Sequence, residues 1–171
     1  MANYIKEHRL YDTNRRTLLK YVCVSDGTQF ANTTLVDVSS LSYALNANGY
    51  IMTSNVHPKA SYGTTIVSIK GNGSLGNSAK SFLKLQWEGD SNSEIIVATD
   101  YFDYGGSGGG SVVGSFTNPE SNSTGDILIS TVNMEANDVF TIFVELKKEA
   151  IDYDQGQTAD PAAFNRGPYA P

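Results

Sequence analysis

Hydrophobic and polar positions alternate with a period of two along much of this chain, most regularly between residues 139 and 146. There Phe140, Ile142, Val144 and Leu146 interleave with Val139, Thr141, Phe143 and Glu145. Such a period in β-branched and aromatic residues predicts a strand. Apolar residues on both faces as far as Glu145 predict that it lies in mid-sheet and is covered on both sides. The stretch GDILISTVN, joined to it through MEAND, predicts the other arm of a hairpin.

The same pattern divides the rest of the chain. Asn3–Tyr11 and Arg16–Ser25 predict an opening hairpin turned at Asp12-Thr13-Asn14-Arg15, and Asp26-Gly27 marks a turn. Phe30–Val38 reads as a third strand. Ser39-Ser40 offers an N-cap for a short helix over Leu41–Asn46, closed at Asn48-Gly49, with a continuous strand as the competing reading. Tyr50–Thr53 reads as a brief strand, and Thr64–Lys70 as a strand ending at a Gly71-Asn72-Gly73-Ser74 loop. Ser81–Trp87 sets Leu83, Leu85 and Trp87 against Phe82, Lys84 and Gln86, so that one face is buried and the other wet at its centre. Glu94–Thr99 follows a polar turn. The stretch YFDYGGSGGGSVVGSFTNPESNSTG, from Tyr101 to Gly125, with six glycines between Gly105 and Gly114, predicts a long loop broken by a short apolar piece at Val112-Val113, because each glycine costs extra backbone entropy on ordering. About eight strands with at most one short helix predict an all-β fold, an antiparallel β-sandwich of jelly-roll-like or immunoglobulin-like packing.

After Glu149 the alternation stops. The tail holds three of the five prolines, at 161, 168 and 171, and its large apolar residues Ile151, Tyr153, Phe164 and Tyr169 stand far apart. Ordering it would cost on the order of 1–2 kcal/mol per residue in backbone entropy. Four anchors return roughly 1.5–3 kcal/mol each. The chain therefore divides into a domain over 1–148 and an extended arm over 149–171 that needs a partner to hold it.

Composition adjusts this picture in three ways. Charged residues are only 18% of the chain, and Gly, Ser, Asn and Thr are abundant, which favours strands and turns over helices. Residues 1–20 carry five basic side chains against two acidic ones, a net +3, leaving −9 on the rest of a chain whose formal charge is −6. An acidic body repels phosphate backbones, which argues against nucleic acid as a partner, while the basic hairpin suits an acidic neighbour. Cys23, the single cysteine, sits in the apolar run YVCVS and reads as an inert core thiol. Neither an eighteen-residue apolar run nor a signal-peptide core is present, so no membrane partner is predicted and the chain is expected to be soluble and made in a cytosol.

Catalytic motifs are sparse. His8 and His57 lie in different segments without metal-ligand or triad spacing, and GGSGGG lacks the strand–helix context of a phosphate loop. No metal, cofactor or catalytic residue is assigned, and the expectation is a protein that is not an enzyme. Asp100, Tyr101, Asp103 and Tyr104, with Trp87, form a candidate ligand-binding set. Rings stack on sugar faces while carboxylates accept hydroxyls or hold Ca²⁺. The competing readings are a protein–protein contact and a purely structural role. For an interface, the candidate residues are Ile151, Tyr153, Phe164, Arg166 and Tyr169 in the tail, and Tyr4, Arg9, Arg15 and Arg16 in the opening hairpin.

The blocks MANYIKEHRLYDTNRRTLLKYV, NTTLVDVSSLSYALN, LKLQWEG, FDY, NSTGDILIS and DYDQGQTADPAAFNRG carry a more specific signal. Across nearly its whole length the chain resembles a family of small virion structural proteins of contractile-tailed marine phages that infect cyanobacteria. The resemblance implies a particle component, assembled in the host cytoplasm and located in the virion, with other virion proteins as partners: the major capsid protein first, and further copies of itself. It assigns no catalytic or ligand residue. The expected role is capsid decoration (cement), with a neck or tail accessory protein and a carbohydrate-binding module as alternatives.

Overall fold

A computed structural model of the chain describes residues 3–52, 58–76, 80–105, 116–119 and 122–156. Among them are ten strands: β1 (Tyr4–Asp12), β2 (Arg16–Asp26), β3 (Thr33–Val36), β4 (Thr64–Ser74), β5 (Phe82–Trp87), β6 (Ser93–Ala98), β7 (Tyr101–Gly105), β8 (Phe116–Thr117), β9 (Ile127–Val132) and β10 (Ala136–Lys148). All pairings are antiparallel. One sheet runs β1-β2-β10-β4-β7, with β8 also on β4, and the other runs β3-β9-β5-β6. The fold is all-β and sandwich-like, as the alternation predicts.

One core joins both sheets. Leu19, Tyr21, Cys23, Phe140, Ile142, Val144 and Leu146 face Leu35, Leu83, Leu85, Trp87, Ile127 and Ile129. The inward residues of β2 and β10 are the odd and even members of those strands, as a period of two requires. Burial pushes the Cys23 thiol up to about 12, so it stays protonated.

Five local expectations change. First, β9 and β10 are not a hairpin: β9 belongs to the smaller sheet and β10 to the larger. The corner between them is tied by side chains. Gln29 accepts the Met134 N–H and donates to its carbonyl, and Asp138 accepts the N–H groups of Glu135 and Gly76. Second, β4 continues through Gly71-Asn72-Gly73-Ser74 instead of turning there. A methyl on Gly71 would stand 2.2 Å from the Phe102 ring, and one on Gly73 would stand 2.5 Å from that of Phe140. These glycines are in the strand because rings pack over them. Third, the 41–46 helix is absent. A three-residue 3₁₀ turn over Val38–Ser40 is capped instead by Asp37, which accepts the Ser39 and Ser40 N–H groups, and 44–46 form isolated bridges. Fourth, Tyr101–Gly105 is a strand, β7, paired to β4. Fifth, β10 is central between β2 and β4, but its outer face is only partly buried.

Candidate interaction surfaces

The outer face of the larger sheet follows directly from register. Tyr4, Val24, Val139 and Ser74 lie in one row across β1, β2, β10 and β4, and Lys6, Val22, Thr141 and Asn72 in the next. His8, Lys20, Phe143, Lys70 and Asp103 make the third, which reaches β7. Val22, Val24, Val139 and Phe143 are half-buried and stand outside the core cluster. Lys20 lies over the Phe143 ring at 5.8 Å. The result is an apolar patch rimmed by cations, a composition suited to a protein partner of complementary charge.

The predicted arginines of the opening hairpin are held differently. Arg9 donates to Glu7 at 2.6 Å, to Asp12 at 3.3 Å and to the backbone oxygen and hydroxyl of Ser40 at 3.0 Å. Arg16 pairs with Glu145 at 3.2 Å, a carboxylate that also accepts the Tyr11 hydroxyl. Their guanidinium groups thus have partners within the domain, while Tyr4 and Arg15 are exposed.

The arm begins later than its loss of alternation predicts. Tyr153 is 0% exposed, its hydroxyl donates to the Val38 carbonyl at 2.8 Å, and its ring tilts against Tyr62. Asp152 pairs with Lys59 and accepts the Gly63 N–H, and Tyr153 bridges Ala44. Tyr153 is thereby corrected from an interface residue to a core anchor, and the compact body reaches Gly156. A single buried tyrosine can anchor a turn without any period-two signature. Ile151, by contrast, is 77% exposed. Phe164, Arg166 and Tyr169 lie outside the described residues, as do His57 and the segment 106–115.

The proposed ligand set does not assemble. Trp87 is 2% exposed in the core, on the smaller sheet, and Tyr104 packs against that core from β7. Tyr101 is 68% exposed on the outer face beside Asp103, which pairs with Lys70 at 3.2 Å. The Asp100 side chain accepts the Tyr101 N–H at the preceding bend. Alternation along β7 sends its two tyrosines that flank Asp103 to different environments, so no three-ring platform forms. Among the described residues no group of three His, Cys, Asp or Glu side chains is placed to hold a metal ion.

Two polar sites escape the sequence patterns. Lys148 is fully buried at the end of β10, donating to Asp12 at 2.5 Å and to the carbonyls of Thr13 and Ser42 at 2.8 and 2.7 Å. Desolvation lowers its pKa, while the Asp12 carboxylate pulls it back up. It ties the end of the central strand to the first turn and to the 40s loop. Its parity was the available signal, because Lys148 continues the inward series 140, 142, 144, 146.

The second is a groove of about 450 Å³ where the edges of β1 and β3 part. Ile5 and Leu35 supply apolar walls, and Glu7, Asp37 and Asp126 supply carboxylates. Asp126 accepts the Val38 N–H, yet burial, with Asp37 and Glu88 nearby, pushes its carboxyl up to about 6. The side chain resists being charged in its present surroundings.

Comparison with protein-family models, curated proteins and solved structures finds no match. Function is therefore argued from these surfaces. No helix among the described residues is long and apolar enough to cross a membrane.

Proposed function

We propose that the chain is a non-enzymatic structural protein of a virion, a capsid decoration protein that adds contact area across neighbouring capsid subunits. The supporting observation is the outer face of the larger sheet, where half-buried Val22, Val24, Val139 and Phe143 form one patch flanked by Lys6 and Lys20. A face of this kind loses apolar area to water until a partner covers it. Its cations favour an acidic or carbonyl-rich neighbour, and the major capsid protein is the partner in this reading. The exposed Tyr4 and Tyr101 extend the patch at its two ends with large amphipathic rings, a residue type enriched at protein interfaces. A neck or tail position would use the same face, so the role rests on contact and the position on where the copies are counted.

The test is occupancy on particles. Val22→Glu combined with Phe143→Glu introduces two carboxylates into the patch and leaves the core side of both strands intact. The folded variant should drop from purified particles, with its denaturation midpoint near that of the parent. Full copy number for such a variant would remove the outer face from the argument. Copies found at the neck or tail would keep the interface and move its address.

A further inference from the structure

We propose that the free edge of β1 pairs antiparallel with the β1 edge of a second copy of this chain, about a two-fold axis at His8 that sets Glu7 of each strand opposite Arg9 of the other. The pairing joins two copies of the larger sheet into one continuous sheet, and it stands independently of the virion reading.

Among the described residues β1 pairs only with β2, and seven of its nine residues are exposed. The strands behind it decide which of its backbone groups are free. The Lys148 N–H donates to the Arg15 carbonyl, so odd-numbered members of β2 bond to β10. Even-numbered members therefore bond to β1, and the Asp26 N–H, which meets the Asn3 side chain, obeys the same parity. Their register partners Tyr4, Lys6 and His8 turn their N–H and C=O groups towards β2. Ile5, Glu7 and Arg9 present theirs to the open edge, as far as the bulge that follows Arg9. Such a row of unpaired backbone groups is a template for another strand.

A second copy supplies that strand with matching charge. Two-fold antiparallel pairing that joins the outward groups of both strands centres on Lys6, Glu7 or His8. Centred on Lys6 it sets two ammonium groups opposite each other, and centred on Glu7 two carboxylates; like charges directly opposite are destabilising. Centred on His8 it sets Glu7 opposite Arg9 on both sides of the axis, and each such pair exchanges its N–H and C=O groups. The axis itself passes between two imidazoles, which lack the fixed charge of an ammonium or a carboxylate. A strand of another protein offers backbone groups as well, but β1 is complementary to itself in this register, which favours a second copy.

The groove beside this edge fits the same arrangement. Glu7 lines it with Asp37 and Asp126, between the apolar walls of Ile5 and Leu35. Glu7 lies on the inward face of β1, in register with the buried Tyr21. Residues directly opposite across a strand pair share a face. Arg9 of the second copy therefore arrives on that inward side, at the mouth of a groove lined by carboxylates. Within its own chain Arg9 already donates to Glu7 at 2.6 Å, so the contact gathers two such pairs into one cluster of alternating charge. An exposed ion pair contributes little alone, and a network contributes more. Pairing along one strand covers less than the area of a standard interface, so monomer and dimer exchange in solution.

The experiment is disulfide trapping in the full chain carrying either His8→Cys or Lys6→Cys. Both positions are exposed, and Cys23 is fully buried and does not compete. Two copies of residue 8 face each other within disulfide reach, whereas two copies of residue 6 stand about 13 Å apart in this register, too far for a bridge. His8→Cys should therefore give a crosslinked dimer several-fold faster than Lys6→Cys. Equal rates, a faster Lys6→Cys product, or no dimer from His8→Cys would overturn the proposal. In the unmodified chain, raising the concentration from micromolar to millimolar should slow amide exchange at Glu7 and Arg9 several-fold. Exchange at these two amides that ignores concentration would overturn it as well.

Discussion

At the scale of single residues, polar side chains in buried positions set the conditional features of this molecule. Asp126 is the clearest. Its carboxyl, ordinarily near 3.8, is raised to about 6, first by desolvation and then by Asp37 and Glu88, against the lowering effect of the Val38 N–H. A raised carboxyl binds its proton more tightly when folded, so this residue's contribution to stability is greatest below about pH 4 and is lost as pH rises from there to about 6. Asp126→Asn keeps an acceptor for Val38 and removes the charge. Its urea midpoint should exceed the parent's at pH 7, and the difference should shrink or reverse at pH 4. Lys148 shows the opposite arrangement, a buried cation whose three partners compensate its loss of water.

At the scale of elements, close approach decides what the alternation leaves open. Glycine pairs in a polar run read as a turn, yet β4 extends through Gly71 and Gly73 because the rings of Phe102 and Phe140 lie on them. Alanine is ordinarily the better strand residue. Here, Gly73→Ala should cost about 1–3 kcal/mol by overpacking against Phe140, and Phe140→Leu should recover part of that loss in a double-mutant cycle. The corner between β9 and β10 teaches the same lesson. Its strands were legible from their period of two, but their membership of different sheets was not. Gln29 and Asp138, which hold that corner, act from elsewhere in the chain or from inside β10.

At the scale of the whole molecule, the boundary between body and tail shifts the expected behaviour of truncations. A chain ending at Lys148 loses Tyr153 and the Asp152–Lys59 pair, and removing a buried aromatic of this kind costs about 3–5 kcal/mol. A chain ending at Gly156 keeps every contact described here. Chemical denaturation should place the first well below the parent and the second within about 0.5 kcal/mol of it. Equal midpoints for the two truncations would deny Tyr153 its anchoring part. Only the chain ending at Gly156 can separate folding from occupancy when particle binding is measured.

The sequence by itself determined the all-β class, the opening hairpin, the inward faces of β2, β5 and β10, and the burial of Cys23. Each follows from a period of two or a local turn signal, and both are properties of neighbouring residues. Only the tertiary structure decided which strands share a sheet, because β9 and β10 carry equivalent patterns whether they pair or part. It also decided the fates of Tyr104 and Tyr153, both drawn into the body, and it left Tyr101 outside. An aromatic side chain supports either outcome until the facing sheet is in place. The acidic groove is tertiary for the same reason: Glu7, Asp37 and Asp126 lie far apart in the chain, and the parting edges of two sheets bring them together.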